Sequence, residues 1–151
     1  MGKKIMWRIR LLWPGRTREP FLREGIERYL KLLHPYAKVE ILEVKEGRGR
    51  GMAAVDFESE NLLRAVKGDF ILLDSKGINI ASEEFAKLLQ STPTIEFVVG
   101  GAFGVNEAVR KRAKMILSLS KMTFTHEMTR LILLEQIYRA MTIIHRRGYH
   151  H

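Results

Sequence analysis

Two groups of side chains in this sequence have the types and spacing to do chemistry. The first is His126, with Glu127 beside it and Arg130 four residues on, directly after the alternating polar and apolar segment Ser118-Leu119-Ser120-Lys121-Met122-Thr123-Phe124-Thr125. Four residues is one helical turn, so His126 and Arg130 share a helix face. An imidazole there can exchange a proton near neutral pH, or it can serve only as a polar contact at a helix start. The second group is the tail His145-Arg146-Arg147-Gly148-Tyr149-His150-His151. No carboxylate cluster accompanies its three histidines, which argues against a metal site. Read alone, the tail is a frayed end, or His150-His151 are added residues.

The run Phe97-Val98-Val99-Gly100-Gly101-Ala102-Phe103-Gly104 places glycines at the end of a buried apolar segment. It has neither the lysine of a triphosphate-binding loop nor the spacing of a dinucleotide fingerprint, which argues against a nucleoside triphosphate site. Glycines at a strand end let a flat or bulky ligand approach the backbone and give access to positive φ. A purely structural turn has the same signature.

The elements that must position these groups follow from periodicity. Ile5 to Leu12 reads as a first strand, stopped by Trp13-Pro14-Gly15. From Phe21 the apolar positions Leu22, Ile26, Tyr29, Leu30 and Leu33 recur at helical spacing until His34-Pro35, and Val39 to Val44 alternates as a second strand. Gly47-Arg48-Gly49-Arg50-Gly51 is a basic loop that suits either RNA contact or a solvated connection. Phe57 to Val66 is helical. Phe70 to Asp74 is a buried parallel strand turned by Ser75-Lys76-Gly77, and Ser82, with Glu83 and Glu84, starts a helix as a hydroxyl cap. Ile95 to Val99 is the next buried strand. A final helix from His126 carries the apolar stripe Leu131, Leu134, Tyr138 and Met141, expected as core or dimer interface, and the pair Glu135 and Arg139. Alternating strands and helices predict an α/β domain with a mostly parallel central sheet and ligand binding at the carboxyl ends of its strands, where Leu73-Asp74 and Gly100-Gly101 converge.

At 151 residues the chain is expected to form one domain, residues 1–151, so any polyanionic partner must meet that same domain. The formal charge is +9, and seven of those net charges lie beyond Ala108. Such a surface fits nucleic acid, although basic character alone also serves solubility. The absence of cysteine excludes disulfides, thiolate metal sites and a cysteine nucleophile. No stretch approaches the ~20 apolar residues of a membrane span, and the N-terminus lacks the apolar core of a signal peptide, so a cytoplasmic protein with no membrane partner is expected.

In this order, the glycine run, the Ser118–His126 segment and a helix carrying Glu135-Gln136-Ile137-Tyr138-Arg139-Ala140 resemble the RlmH family of SPOUT-superfamily methyltransferases. Leu72-Leu73-Asp74-Ser75-Lys76-Gly77, Ser82-Glu83-Glu84-Phe85-Ala86 and Tyr149-His150 extend the likeness over most of the chain. The resemblance implies a SPOUT-type fold with a C-terminal deep trefoil knot, a homodimer, S-adenosyl-L-methionine as cofactor, no metal, and methylation of N3 of a pseudouridine in large-subunit ribosomal RNA on the ribosome. It implies cofactor contacts at Leu73, Gly100, Gly101, Ser120, Lys121, Met122, Thr123, Phe124 and Thr125. It also implies that His126 and Arg130 organise the cofactor loop and meet RNA phosphate, and that Tyr149 stacks on the target base while His150 bonds to it or takes its proton. The chain departs from the family where Thr125 and Gly148 replace prolines and His151 stands in place of an arginine. The rivals are a SPOUT methyltransferase with another rRNA or tRNA target, and an inactive RNA- or ribosome-binding protein.

Overall fold

The computed structural model describes residues 5–149. In chain order it contains β1 (Trp7–Pro14), α1 (Pro20–Leu33), β2 (Ala37–Val44), α2 (Met52–Ala65), β3 (Ile71–Asn79), α3 (Ser82–Gln90), β4 (Thr94–Val99), α4 (Glu107–Arg112), β5 (Met115–Ser118) and α5 (His126–Tyr149). The strands form one five-stranded sheet in the order β2-β1-β4-β3-β5, and every adjacent pair is parallel. The expected mostly parallel sheet is therefore wholly parallel among the described strands.

Alternation along each strand divides the core. Trp7, Ile9, Leu11 and Trp13 of β1 join Ile71, Leu73, Ile95, Phe97 and Val99 in packing against Leu33 of α1, Phe85 and Leu89 of α3, and Leu133, Leu134, Ile137 and Met141 of α5. On the opposite face Leu12, Leu72 and Val98 meet Leu62 of α2 and Val109 of α4. Full burial of each such aliphatic side chain contributes about 1.5–3 kcal/mol. Both faces being covered explains why these strands read as continuous apolar runs. The α5 stripe is core within this chain: Leu134 and Met141 are fully buried, and Leu131 and Tyr138 pack against the same cluster.

Several local expectations need correction. β1 continues through Trp13 and Pro14, both buried, rather than stopping at Leu12. α2 begins at Met52, before its helical periodicity becomes visible. Ser82 is not the cap of α3: Ala81 precedes the helix, its N–H donates to Glu84 Oε1 at 3.1 Å, and the Ser82 hydroxyl donates to Gln136 Oε1 on α5 at 3.0 Å. The turn expected at Ser75-Lys76-Gly77 is a register shift within β3. Leu117 of β5 pairs with Leu73 and again with Ile78, so the intervening residues bulge out. Gly77 permits this because a Cβ there would stand 2.5 Å from Ile116 O and 2.8 Å from Leu117 N.

Candidate active site

The carboxyl ends of β3, β4 and β5 and the segment after β5 enclose a cavity of about 220 Å³. Three loops build it. The first is the β3 bulge, which brings Leu73, Asp74 and Ser75 to the wall. Asp74 is held there by an ion pair with Arg110 of α4 and by accepting from Lys76 N at 2.8 Å.

The second loop is the glycine turn after β4. Gly104 N donates to Gly101 O at 3.0 Å, and Gly104, with φ +79°, is the residue that needs a left-handed backbone. Gly100 and Gly101 serve close approach instead. A Cβ on Gly100 would lie 3.0 Å from Gly104 C, and one on Gly101 would meet the Glu58 carboxylate at 2.7 Å. Glu58 also accepts from Gly47 N at 2.9 Å, so α2 carries the basic 47–51 loop and braces the glycine turn together.

The third loop runs from Ser118 to Thr125 and is shaped by its own hydroxyls. Ser118 Oγ donates to Ser120 O at 2.6 Å, Met122 N donates to Ser120 Oγ at 3.0 Å, and Asn79 Nδ2 donates to Ser118 O at 3.2 Å. Thr125 closes the loop as the N-cap of α5: its Oγ1 accepts from Met128 N at 3.2 Å and its carbonyl from Thr129 N at 3.0 Å. Its hydroxyl thus satisfies one orphan donor of the helix.

Of the residues expected to bind cofactor, Leu73, Gly100, Gly101, Ser120, Met122, Thr123 and Phe124 all line the cavity. Lys121 is exposed and Thr125 is taken up by capping; neither belongs to the lining. Asp74 and Leu119 also line the cavity, as expected from the strand ends and from the apolar positions of the loop, whereas sequence reading passed over Ser75, Val99, Ala102, Gly104, Ser118 and Thr129. Of these Gly104 carried a signal, as the last glycine of its run; Thr129 carried none, because it enters only as the neighbour of His126 across the first turn of α5.

His126 lines the cavity, and burial, reinforced by the Arg130 charge, pulls its pKa below the ordinary imidazole value against the pull of Glu127. The ring is therefore neutral at pH 7 and able to accept a proton.

Arg130 has a different environment from the one expected. It is completely buried, and Nη2 donates to Pro14 O at 2.7 Å while Nη1 donates to Gly15 O at 3.2 Å and Thr17 Oγ1 at 3.0 Å. Its guanidinium carbon lies 4.9 Å from the centre of the Trp13 ring. Desolvation lowers its pKa to about 10, which leaves it cationic at neutral pH. A guanidinium enclosed in this way and committed to backbone carbonyls is not placed to meet RNA phosphate. Beside it the buried Glu127 accepts from Arg18 N at 2.9 Å and Glu19 N at 3.2 Å, and these hydrogen bonds, with the Arg130 charge, hold its carboxyl below the usual range despite burial. Arg130 and Glu127 together fasten the 14–19 loop to the first turn of α5, the turn that presents His126 and Thr129 to the cavity.

The Tyr149 side chain and His150 lie outside what the structure describes. Among the described residues no group of three histidines and carboxylates is placed to hold a metal, and no helix is long and apolar enough to cross a membrane.

The cavity is lined mainly by backbone and apolar side chains. Its walls combine glycine backbone with Leu73, Val99, Leu119, Met122 and Phe124, and its one aspartate is already paired. Residues 7–150 match a family profile described as "Predicted SPOUT methyltransferase". The chain is 51% identical over 146 residues to a protein of Thermodesulfovibrio yellowstonii named ribosomal RNA large subunit methyltransferase H, covering 97% of this chain and all of that one. Proteins of the same name from Geobacter sp. strain M21 and Symbiobacterium thermophilum are 43% and 42% identical, each over 95% of this chain and 99% of the relative.

Proposed function

Because the chain belongs to the SPOUT methyltransferase family, we propose that it transfers a methyl group from S-adenosyl-L-methionine to large-subunit (23S) ribosomal RNA, at N3 of a pseudouridine, on the assembled ribosome. The observation that carries this reading is the three-loop cavity at the carboxyl ends of β3, β4 and β5, lined by seven of the nine residues expected to hold the cofactor. The relatives' shared name supplies the substrate class.

The sulfonium cofactor supplies an activated methyl group, so the protein needs to contribute positioning, desolvation and proton removal. Backbone groups of Gly100, Gly101 and Ser120 to Phe124 would hold the adenosine, with Leu73, Leu119, Met122 and Phe124 against its apolar faces. Tyr149 stacks on the target base and His150 bonds to it or takes the N3 proton. His126, neutral at the cavity wall, is the second candidate acceptor. A base presented from an RNA loop is accessible to such stacking. The trefoil knot at the C-terminal end, the homodimer and a cytoplasmic setting belong to the same proposal and rest on the family.

Titration calorimetry with S-adenosylmethionine and its demethylated product tests the reading. Saturable binding, together with methylation of pseudouridine-containing ribosomes, is expected; absence of binding by the folded protein would favour a cofactor-free RNA-binding role. His150→Ala should retain cofactor affinity and lose turnover. Normal methylation by that variant would remove the tail from the mechanism.

A further inference from the structure

The opposite end of the sheet bears a second and larger cleft, about 700 Å³, that methyl transfer does not use. It opens where β1, β2, β3, β4 and β5 begin. Besides the apolar Ile9, Phe70, Ile71, Leu88, Ile95 and Met115, its lining carries polar side chains that strand register sets in two rows. Arg8 lies between Lys38 and Thr94, and one step inward Arg10 lies between Glu40 and Glu96. Residues two apart on a strand share a face, so both rows sit on one side of the sheet.

The inner row is satisfied within itself. Arg10 pairs with Glu40 at 2.8 Å and with the buried Glu96, and donates to Ala65 O at 3.3 Å. Glu96 also accepts from Lys67 N at 2.8 Å and Gly68 N at 3.0 Å, which fixes the turn that carries Lys67. The rim is different. Arg8, Lys38 and Lys67 are exposed, and among the described residues none has a carboxylate within ion-pair distance, while Lys114 reaches Asp69 only at 4.0 Å. Three unneutralised cations and one weakly paired cation thus surround a single mouth.

The kind of partner follows from where the unsatisfied charge lies. A small anion bound in the floor would find its donors already used by Glu40 and Glu96. Exposed cations spread around a rim suit successive phosphates of an extended polyanion, whose binding displaces counterions. From Arg8 to Pro14, β1 rises ~3.3 Å per residue, which separates this rim from the carboxyl-end cavity by roughly 20 Å. The RNA meeting it is therefore not the target nucleotide. We propose that Arg8, Lys38 and Lys67 form a second RNA-backbone contact that docks a segment of ribosomal RNA remote from the methylated base. The proposal rests on the rRNA-methyltransferase reading above.

The test compares R8Q/K38Q/K67Q with the unaltered chain, using protein-free large-subunit rRNA and intact large subunits as probes at several salt concentrations. At slopes of about 0.7–0.9 per phosphate, loss of three contacts should narrow the affinity gap between the two proteins roughly 20- to 40-fold as salt rises from about 50 to 200 mM. Both probes should show it. KM for ribosomes should rise with kcat and cofactor affinity retained, and R8K/K38R/K67R, which keeps the charges, should bind as the unaltered chain does. Equal affinity and equal salt slope would overturn the proposal. Weakening on intact subunits but not on bare rRNA would assign the cleft to a ribosomal protein, and an altered oligomeric state would assign it to a second copy of the chain; either result overturns RNA docking. If the unaltered chain fails to methylate ribosomes, the functional reading falls, while the binding comparison on bare rRNA still decides the cleft.

Discussion

Replacing Arg130 by methionine separates a residue that positions from one that binds phosphate. Methionine keeps much of the length and apolar volume but removes every donor, leaving the acceptors at Pro14 O, Gly15 O and Thr17 Oγ1 without their partner. A buried acceptor left unmet costs about 1–3 kcal/mol. Two effects reduce the sum: the guanidinium no longer has to be desolvated, and the Thr17 hydroxyl can rotate to another partner. The expected net loss is ~3 kcal/mol. For a chain of this size that lowers Tm by roughly 6–12 °C. Urea unfolding at fixed protein concentration should show a lower midpoint with an unchanged slope. Thr17→Val alone removes one bond and should cost ~1 kcal/mol, but almost nothing once Arg130 is already methionine, since the bond it removes is gone. Cofactor affinity should fall with stability, because the same turn of α5 presents His126 and Thr129. Unchanged stability of Arg130→Met, combined with weaker ribosome binding and a flatter salt dependence, would refute this reasoning and return Arg130 to the role of a phosphate ligand.

Other expectations concern single contacts. Gly77→Ala puts a methyl group against the β5 backbone and should cost ~1–3 kcal/mol and weaken cofactor binding, whereas Gly68→Ala, with nothing within 4 Å, should be neutral in the same unfolding assay. Thr125→Val loses the cap on Met128 N and should cost ~1 kcal/mol, with Thr125→Ser retaining it; equal stability of the valine variant would remove the capping role. His126 gives a pH dependence of defined sign. Its folded pKa is lowered, so just below about 6.5 the unfolded chain binds more protons and stability falls as the pH falls, levelling off below the folded value. His126→Gln should flatten that interval in a series of unfolding curves, and an unaltered slope would place the titration elsewhere.

What the sequence made legible is what depends on nearest neighbours and short periods. Phe70 to Leu73 and Ile95 to Val99 are apolar because both sheet faces are covered, and the glycine run is distinctive because a Cβ on Gly100 would press to 3.0 Å from Gly104 and the left-handed backbone at Gly104 favours glycine. α4 and β5 escaped notice for a related reason. Arg110, Lys111, Arg112 and Lys114 surround a single buried valine and a four-residue strand, too short for either period to register above the charge. The Ser75-Lys76-Gly77 bulge looked like a turn because a turn and a bulge draw on the same residues, and only the second pairing of Leu117 distinguishes them. For Arg130 it is the expected phosphate contact that the fold does not favour. Its spacing from His126 correctly gave a shared helix face, but spacing carries no information on what that face meets. The face meets the carbonyls of Pro14 and Gly15, more than a hundred residues away in sequence. The same distinction reduces the weight of the basic C-terminal third, where Arg130 is enclosed and Arg110 neutralises Asp74, so part of the charge counted in sequence is consumed inside the fold. Cations free to meet RNA must be found where the fold leaves them unpaired, and the amino-end rim of the sheet, drawn from Arg8, Lys38 and Lys67 in three separate segments, is a grouping that no linear count of charge could have assembled.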